Sequence, residues 1–372
     1  MIPEMESGGV ERGTLELARH LGAQGHESIV ISGGGKIVPQ LEACGTRHIT
    51  MPVGRKRLGS LLLIPKLREL FATEEPDILH LRSRVPAWLA WFAWRGMDPE
   101  TRPNLVTTVH GFNSVNRYSE IMTCGERVIC VSESIREHVI RHYPRVAAAK
   151  DKLRVVHRGI DPDEYPHGYR PRPEWIESFH REFPETRGKR LLTLPGRITR
   201  LKGHEDLAII LKELSADPSL HAVIAGGAHL RKASYLDEIR TLFAKEGLMH
   251  RVTFTGARGD LREILAISAV VLSLTTQPES FGRTTLEALG LGIPVAGYDH
   301  GGVGEQLRLL YPAGCLPPND PERAAPIIRG LLDDPPAVPV EYPFTLKRML
   351  EGTMDVYREL LEADASAGSA RH

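Results

Sequence analysis

The chain has little with which to cross a membrane, hold a metal or grip nucleic acid. No apolar run in it approaches the ~18–20 residues that span a bilayer. Its opening, MIPEMESGGVERG, lacks the apolar core of an export signal. The four cysteines (Cys44, Cys124, Cys130, Cys315) have neither zinc nor redox spacing. They read as buried or free thiols in the reducing cytoplasm. Sixteen histidines show no ligand spacing, so no metal and no cofactor are expected. Lys+Arg and Asp+Glu both total 47, and this balance argues against a nucleic-acid partner.

What is present is an ordinary globular composition, 41% hydrophobic and 25% charged, in a chain long enough for two domains. Short β-rich runs alternate with helical stretches. In the first half the strands are expected at 27–32, 77–81, 105–110, 127–132 and 153–159. Helical patterns such as Thr14–Gln24 and Ser134–Arg141 lie between them, which implies parallel strands with crossover helices. Ser132 reads as an N-cap. The Pro-rich stretch DPDEYPHGYRPRPEW breaks the rhythm after Ile160, and the pattern then restarts at 190–197, 221–227, 251–256, 269–274 and 293–298. The expected architecture is therefore α/β with two doubly wound, Rossmann-like domains, 1–163 and 164–344, and ligands at the carboxyl ends of the strands. A last segment, 345–372, is a helix with Leu346, Met349, Met354, Tyr357 and Leu361 as apolar positions, followed by a frayed tail.

Four motifs carry chemistry. In PESFGRTTLEALGLGIPV, Pro278 and Gly282 suit a loop, and Thr284–Leu291 is good helix sequence. Glu287 is then placed on the first helical turn and Glu279 in the loop before it. Unpaired N–H groups at such a helix start seat a phosphate, and carboxylates on either side can accept hydrogen bonds from sugar hydroxyls. A nucleotide-sugar has that layout. In LPGRITRLKG, Arg197 and Lys202 follow a strand end at a spacing that lets both converge on one diphosphate. ESGGVERGTLELA is a Gly-rich turn opening a helix, in which Gly8 and Gly9 permit close backbone approach. Arg12 behind it could reach an anion or face solvent. VTTVHGFNS places His110 and Gly111 where a strand runs into a loop, with Asn113, Asn116 and Tyr118 following. Asp161-Pro162-Asp163 spells D-x-D inside the Pro-rich junction and reads as turn chemistry.

The E-x7-E pair Glu279/Glu287, with the G-R-x-x-x-x-K-G element 196–203 and the His110 loop, resembles the signature of retaining glycosyltransferases of family four, which have the GT-B fold. The resemblance implies two Rossmann-like domains facing a central cleft, with the last helix crossing back to the first domain. It implies that Glu279 and His110 hold the transferred sugar and that Glu287 holds the donor ribose. Arg197 and Lys202 would stabilise the leaving diphosphate. Backbone groups of Gly8, Gly9, Phe281, Gly282, Arg283 and Thr284 would surround the donor, with the loop at Arg258 against the nucleobase. Arg12, Asn113 and Tyr118 fall on the acceptor side, and Glu305 of HGGVGEQL at the site rim. Arg283 departs from the family pattern, where an apolar residue is usual, and its role stays open.

In texture the chain is similar to bacterial lipopolysaccharide-core transferases, which implies transfer of a hexose, glucose from UDP-glucose, to a glycan or lipid-linked glycan acceptor. A cytosolic glycosyltransferase with a soluble acceptor is the alternative, with a non-catalytic nucleotide-sugar-binding protein behind it. The basic and apolar segment GRKRLGSLLLIPKLREL (54–70) is read as an amphipathic helix interrupted near Pro65, in preference to a segment resting on the anionic cytoplasmic face of the inner membrane. Only Met1 and Ile2 stand before Pro3 where the family has a run of about five apolar residues, so an upstream start codon is expected.

Overall fold

A computed structural model describes residues 1–6, 8–147, 149–227 and 233–369. The chain forms two compact units, one of Met1–His157 with the segment from Lys347 onward, the other of Arg158–Leu346.

The second unit carries one all-parallel six-stranded sheet. Its strands are β7 (Arg190–Pro195), β8 (Leu220–Ala225), β9 (Val252–Phe254), β10 (Val270–Ser273), β11 (Val295–Tyr298) and β12 (Cys315–Leu316); β1–β6 belong to the first unit. The order across the sheet is β9-β8-β7-β10-β11-β12. Counted from β7 this is 3-2-1-4-5-6, the dinucleotide-fold order, and its direction reverses between β7 and β10. Strand β8, next to the edge, is buried along its whole length, as LHAVIA covered on both faces requires. The core around these strands is mainly aliphatic, with Tyr298, Tyr311 and Phe243 among its largest fully buried side chains.

In the first unit, β1 (Ile29–Ser32) pairs with β2 (Arg47–Thr50), and β3 (Ile78–Leu81), β4 (Asn104–Val109), β5 (Arg127–Cys130) and β6 (Leu153–Val155) form a four-stranded parallel sheet. Met1–Pro3 runs between β1 and β3. The Ile2 N–H donates to Ile31 O (3.1 Å) and Gly33 N–H to Pro3 O (2.8 Å) on one side. On the other, the terminal amine donates to His80 O (2.6 Å) and Arg82 N–H to Met1 O (3.2 Å). Three residues thus link the two sheets through backbone hydrogen bonds.

The last helix, Leu346–Ser369, belongs to the first unit. The Tyr357 hydroxyl is hydrogen-bonded to His80 Nδ1 at 2.7 Å, and His80 Nε2 to Thr108 Oγ1 at 2.6 Å. Glu359 pairs with Arg154 (2.7 Å) and Arg127 (3.0 Å), and these guanidinium hydrogen bonds hold its carboxyl below the usual range. Met349, Met354 and Tyr357 are buried as the sequence pattern requires, but Leu360 takes the core-facing place expected of Leu361, which is exposed.

Other expectations shift by small amounts. Pro65 does not interrupt a helix: it lies in the first turn of Leu63–Glu74, where its missing N–H costs nothing, and a 3-10 turn, Leu58–Leu62, precedes it. Ser132 caps Glu133–His142 by accepting from Ile135 N–H at 3.2 Å. Asp161 Oδ1 accepts from Asp163 N–H at 3.0 Å, so the D-x-D triplet is an Asx turn.

Candidate active site

Two loops flank the reversal point of the second sheet. After β7 the chain turns at Gly196 (φ 127°), passes Arg197 and a 3-10 turn, Arg200–Lys202, and enters the helix His204–Glu213 through Gly203 (φ 68°). A Cβ on Gly203 would fall inside the Leu274 carbonyl, and one on Gly226, after β8, inside the Gly196 carbonyl. Side-chain-free backbone is what lets these loops close on one another.

The second loop follows β10 and leads through Gly282 (φ 84°) into the helix Arg283–Gly290. No side chain caps that helix start. Its first amides and their partial positive charge therefore remain directed at the loop. Glu287 is correspondingly one position into the second turn rather than on the first, because the helix opens at Arg283. It is buried, and Arg283 Nε lies 3.2 Å from its Oε1. The residue at the family departure is therefore an ion-pair partner of the second glutamate.

Across the reversal point the loops meet. The Lys202 ammonium is ion-paired with Glu279 Oε1, which also accepts from the Thr275 hydroxyl at 3.0 Å. Both charged side chains are about one-quarter exposed, Lys202 at 28% and Glu279 at 24%, so each can still receive a ligand. Arg197 is exposed and, among the described residues, has no carboxylate partner. The local arrangement is one uncommitted cation, one cation–carboxylate pair and one open helix N-terminus.

The glutamate loop is held by the helix Gly301–Leu310. Gly302 N–H donates to Glu279 O at 2.7 Å, and the buried Gln306 amide donates to Phe281 O. A Cβ on Gly302 would overlap the Phe281 backbone, and one on Gly301 would crowd Glu279. Phe281 itself is buried edge-on against Phe344 (5.7 Å), so its side chain is structural. Gln306 was not anticipated from the sequence; nothing in VGEQL separates it from Glu305, which is half-buried on the same helix. His300 precedes the two glycines, and burial lowers its pKa despite the nearby Glu279 charge. Thr284 is half-buried on the first helical turn.

Arg258 is committed to structure. It chelates Asp260 (2.8 Å), pairs with Glu182 (2.8 Å) and lies 5.7 Å from the Phe183 ring centre. Only the backbone of its loop is left for a ligand.

The remaining expected residues are in the first unit. Gly8 is the N-cap of the helix Gly9–Ala23, and both glycines are exposed. Arg12 Nε bonds Glu16 at 3.0 Å. His110 is half-buried immediately after β4, and Asn113 is half-buried in the loop beyond it. Asn116 accepts from Ser119 N–H at 2.9 Å, which makes it a helix cap. Tyr118 is exposed between Lys56 (5.7 Å) and Arg84 (5.6 Å), and its carbonyl accepts from the Trp88 indole at 3.0 Å.

An all-parallel sheet with cations, a paired carboxylate and an open helix start at its reversal point is the arrangement of a nucleotide-binding α/β protein. Residues 7–164 match the model of Glycosyltransferase Family 4, and residues 176–342 that of Glycosyl transferases group 1. The chain belongs to glycosyltransferase family 4 and is a retaining glycosyltransferase of the GT-B fold that uses a nucleotide-sugar.

A glycosyltransferase from Rickettsia africae is 27% identical with a TM-score of 0.81, over 95% of this chain and 96% of that one. HepE of Anabaena, solved with UDP-glucose, is 20% identical with a TM-score of 0.72, over 99% and 98%. N-acetyl-alpha-D-glucosaminyl L-malate synthase of Bacillus anthracis is 23% identical, over 79% of this chain and 76% of that protein. The likeness to lipopolysaccharide enzymes is more distant than the sequence texture suggests. WaaB and WaaG are 13% and 16% identical with TM-scores of 0.66 and 0.65, a likeness of fold alone. Among the described residues no helix is long and apolar enough to cross a membrane.

Proposed function

We propose that the enzyme moves a hexose, glucose from UDP-glucose, to a hydroxyl of a glycan acceptor with retention of configuration, as a step of lipopolysaccharide-core assembly. The observation that carries the donor part is the Lys202–Glu279 pair at the sheet reversal beside exposed Arg197 and the open start of the Arg283–Gly290 helix. The diphosphate lies on that helix start, with Arg197 and Lys202 taking the charge that develops as the sugar–phosphate bond breaks. Bringing in an anionic diphosphate draws Lys202 away from Glu279. That frees the carboxylate to accept hydrogen bonds from the sugar hydroxyls. Glu287 receives the ribose hydroxyls, and His110 holds the sugar. Fixed cations neutralise the leaving group, so the reaction is metal-independent. Attack comes from the face the leaving phosphate occupies, and the phosphate assists deprotonation of the acceptor hydroxyl.

The choice of UDP-glucose is supported by HepE, which was solved with that molecule. The lipopolysaccharide assignment rests on motif texture. The Bacillus anthracis relative, named for L-malate, favours a second reading in which the acceptor is a small soluble molecule.

Nucleoside-diphosphate release from UDP-, GDP- and ADP-sugars, in EDTA and with or without crude core lipopolysaccharide, tests all parts together. Acceptor-dependent UDP release from UDP-glucose is expected. Release dependent on a soluble hydroxy acid or polyol instead would select the second reading. No binding of any nucleoside diphosphate would overturn the donor site.

A further inference from the structure

The segment 54–70, read as an amphipathic helix, buries Leu67 but leaves the three leucines at its start in water. Leu58 is 88% exposed, Leu62 75% and Leu61 51%. They lie on the 3-10 turn Leu58–Leu62, directly after Arg55-Lys56-Arg57. Ser60 Oγ donates to Arg55 O at 2.8 Å and ties the basic run to the turn. A monomeric surface gains nothing by presenting three leucines to water, so the patch calls for an apolar partner.

Beside the turn is a cavity of about 340 Å³, within the range of ligand-binding clefts. Its floor is Trp88 and Phe92, on the helix Arg84–Arg95, with Leu61 on one side and Tyr118 on the other. The floor is rigid: Trp88 is anchored to the Tyr118 carbonyl and packs against Trp91 (5.7 Å) and Phe92 (5.6 Å). Arg55, Lys56 and Arg57 form the rim, and no carboxylate lines the cavity among the described residues. An apolar hole with an all-cationic rim complements an amphiphile that has an anionic head and a hydrocarbon tail.

We infer that this surface docks on an anionic phospholipid bilayer. The rim cations meet lipid phosphates, Leu58 and Leu62 enter the acyl layer, and one acyl chain fills the cavity over Trp88 and Phe92. A bilayer satisfies all three features at once: area for the leucines, negative charge for the rim and a chain for the cavity. The assignment concerns the first unit alone and does not rest on the donor or acceptor chosen above.

Co-sedimentation of the full chain with vesicles tests it. Binding is expected to vesicles with one part in three phosphatidylglycerol, not to pure phosphatidylcholine, and to weaken as salt rises. Arg55→Gln/Lys56→Gln/Arg57→Gln should lose roughly a hundredfold in affinity, from about fivefold per cation at the surface. Leu58→Glu/Leu62→Glu, at positions too exposed to affect folding, should abolish binding. Phosphatidylglycerol with brominated chains should quench the indole emission, and Trp88→Phe should remove much of that quenching. Circular dichroism and nucleoside-diphosphate binding of each variant are expected to match the parent. Equal binding to both vesicle types, binding to neither, or binding unchanged in the leucine variant overturns the inference. So does a concentration-dependent dimer, seen by sedimentation, that the leucine variant dissociates; the patch would then join two copies of the chain.

Discussion

The Lys202 and Glu279 loops of the second unit and the surface around Gly9, Arg12, Asn116 and Tyr118 of the first are built on different terms. In the second unit Gly203, Gly226, Gly301 and Gly302 sit where any Cβ would strike neighbouring backbone, so the Lys202 and Glu279 loops can close only one way. In the first unit Gly9 has nothing within 4 Å of an added Cβ, and Asn116, Tyr118 and Arg12 are engaged with neighbours on their own surface. The Lys202 and Glu279 loops are fixed by backbone contact, and the surface around Gly9, Asn116 and Tyr118 by exchangeable side chains. Under the function proposed above, an invariant diphosphate suits the first kind of construction.

Removing charge from the fixed half is expected to have the largest effect. Lys202→Ala and Glu279→Gln should each lower turnover on the order of a hundredfold to a thousandfold, as loss of one preorganised electrostatic partner does. Circular dichroism should stay unchanged. If release assays show turnover within threefold of the parent in both, the pair does not serve the reaction.

A paired glycine test sharpens the contrast. Gly203→Ala places a methyl inside the Leu274 carbonyl at a residue with φ 68° and should destabilise the protein by about 2–4 kcal/mol. Gly9→Ala, at the exposed start of its helix, should change stability by less than about 1 kcal/mol, and toward greater stability. Urea midpoints compare the two, and equal shifts would dissolve the distinction drawn here.

Acid is expected to weaken the second unit through two buried histidines. His204 and His221, both in the second unit, are buried, and burial depresses each pKa to about 4. The unfolded chain takes up these protons near pH 6.5 while the folded unit resists until about pH 4. Stability is therefore fully present above pH 6.5 and is lost as pH falls from 6.5 toward 4. The depressions allow up to about 3 kcal/mol per histidine. His221→Leu should reduce the slope of unfolding midpoint against pH in that window; an unchanged slope would show that this ring is not the sensor.

Much of this organisation could be read in the residues. Runs such as HAVIAGG and LVTTVH can be little but buried parallel strands, and glycine at 196, 203 and 282 marks the loops before any coordinates are seen. The misses have one cause, contacts distant in sequence. The two-residue β12 exists because Gly297 and Tyr298 pair with it at the sheet edge, which neither Cys315 nor Leu316 announces. Leu360 rather than Leu361 is buried because helix phase is set by the surface it meets. Gln306 supports the Phe281 carbonyl across 25 residues, and no local pattern encodes that bond. The segment 54–70 reads as one amphipathic helix, but Leu67 and Phe71 fill its buried stripe and the leucines of the Leu58–Leu62 turn are left outside, which only the packing shows.

The helix beginning at Leu346 gives the chain an order of assembly. It carries Tyr357 and Glu359, the partners of His80, Arg127 and Arg154, yet it is translated after the entire second unit. During synthesis the half begun first is therefore finished last. Until Glu359 leaves the ribosome, β5 and β6 carry arginines without their carboxylate, while the second unit already has every strand of its sheet.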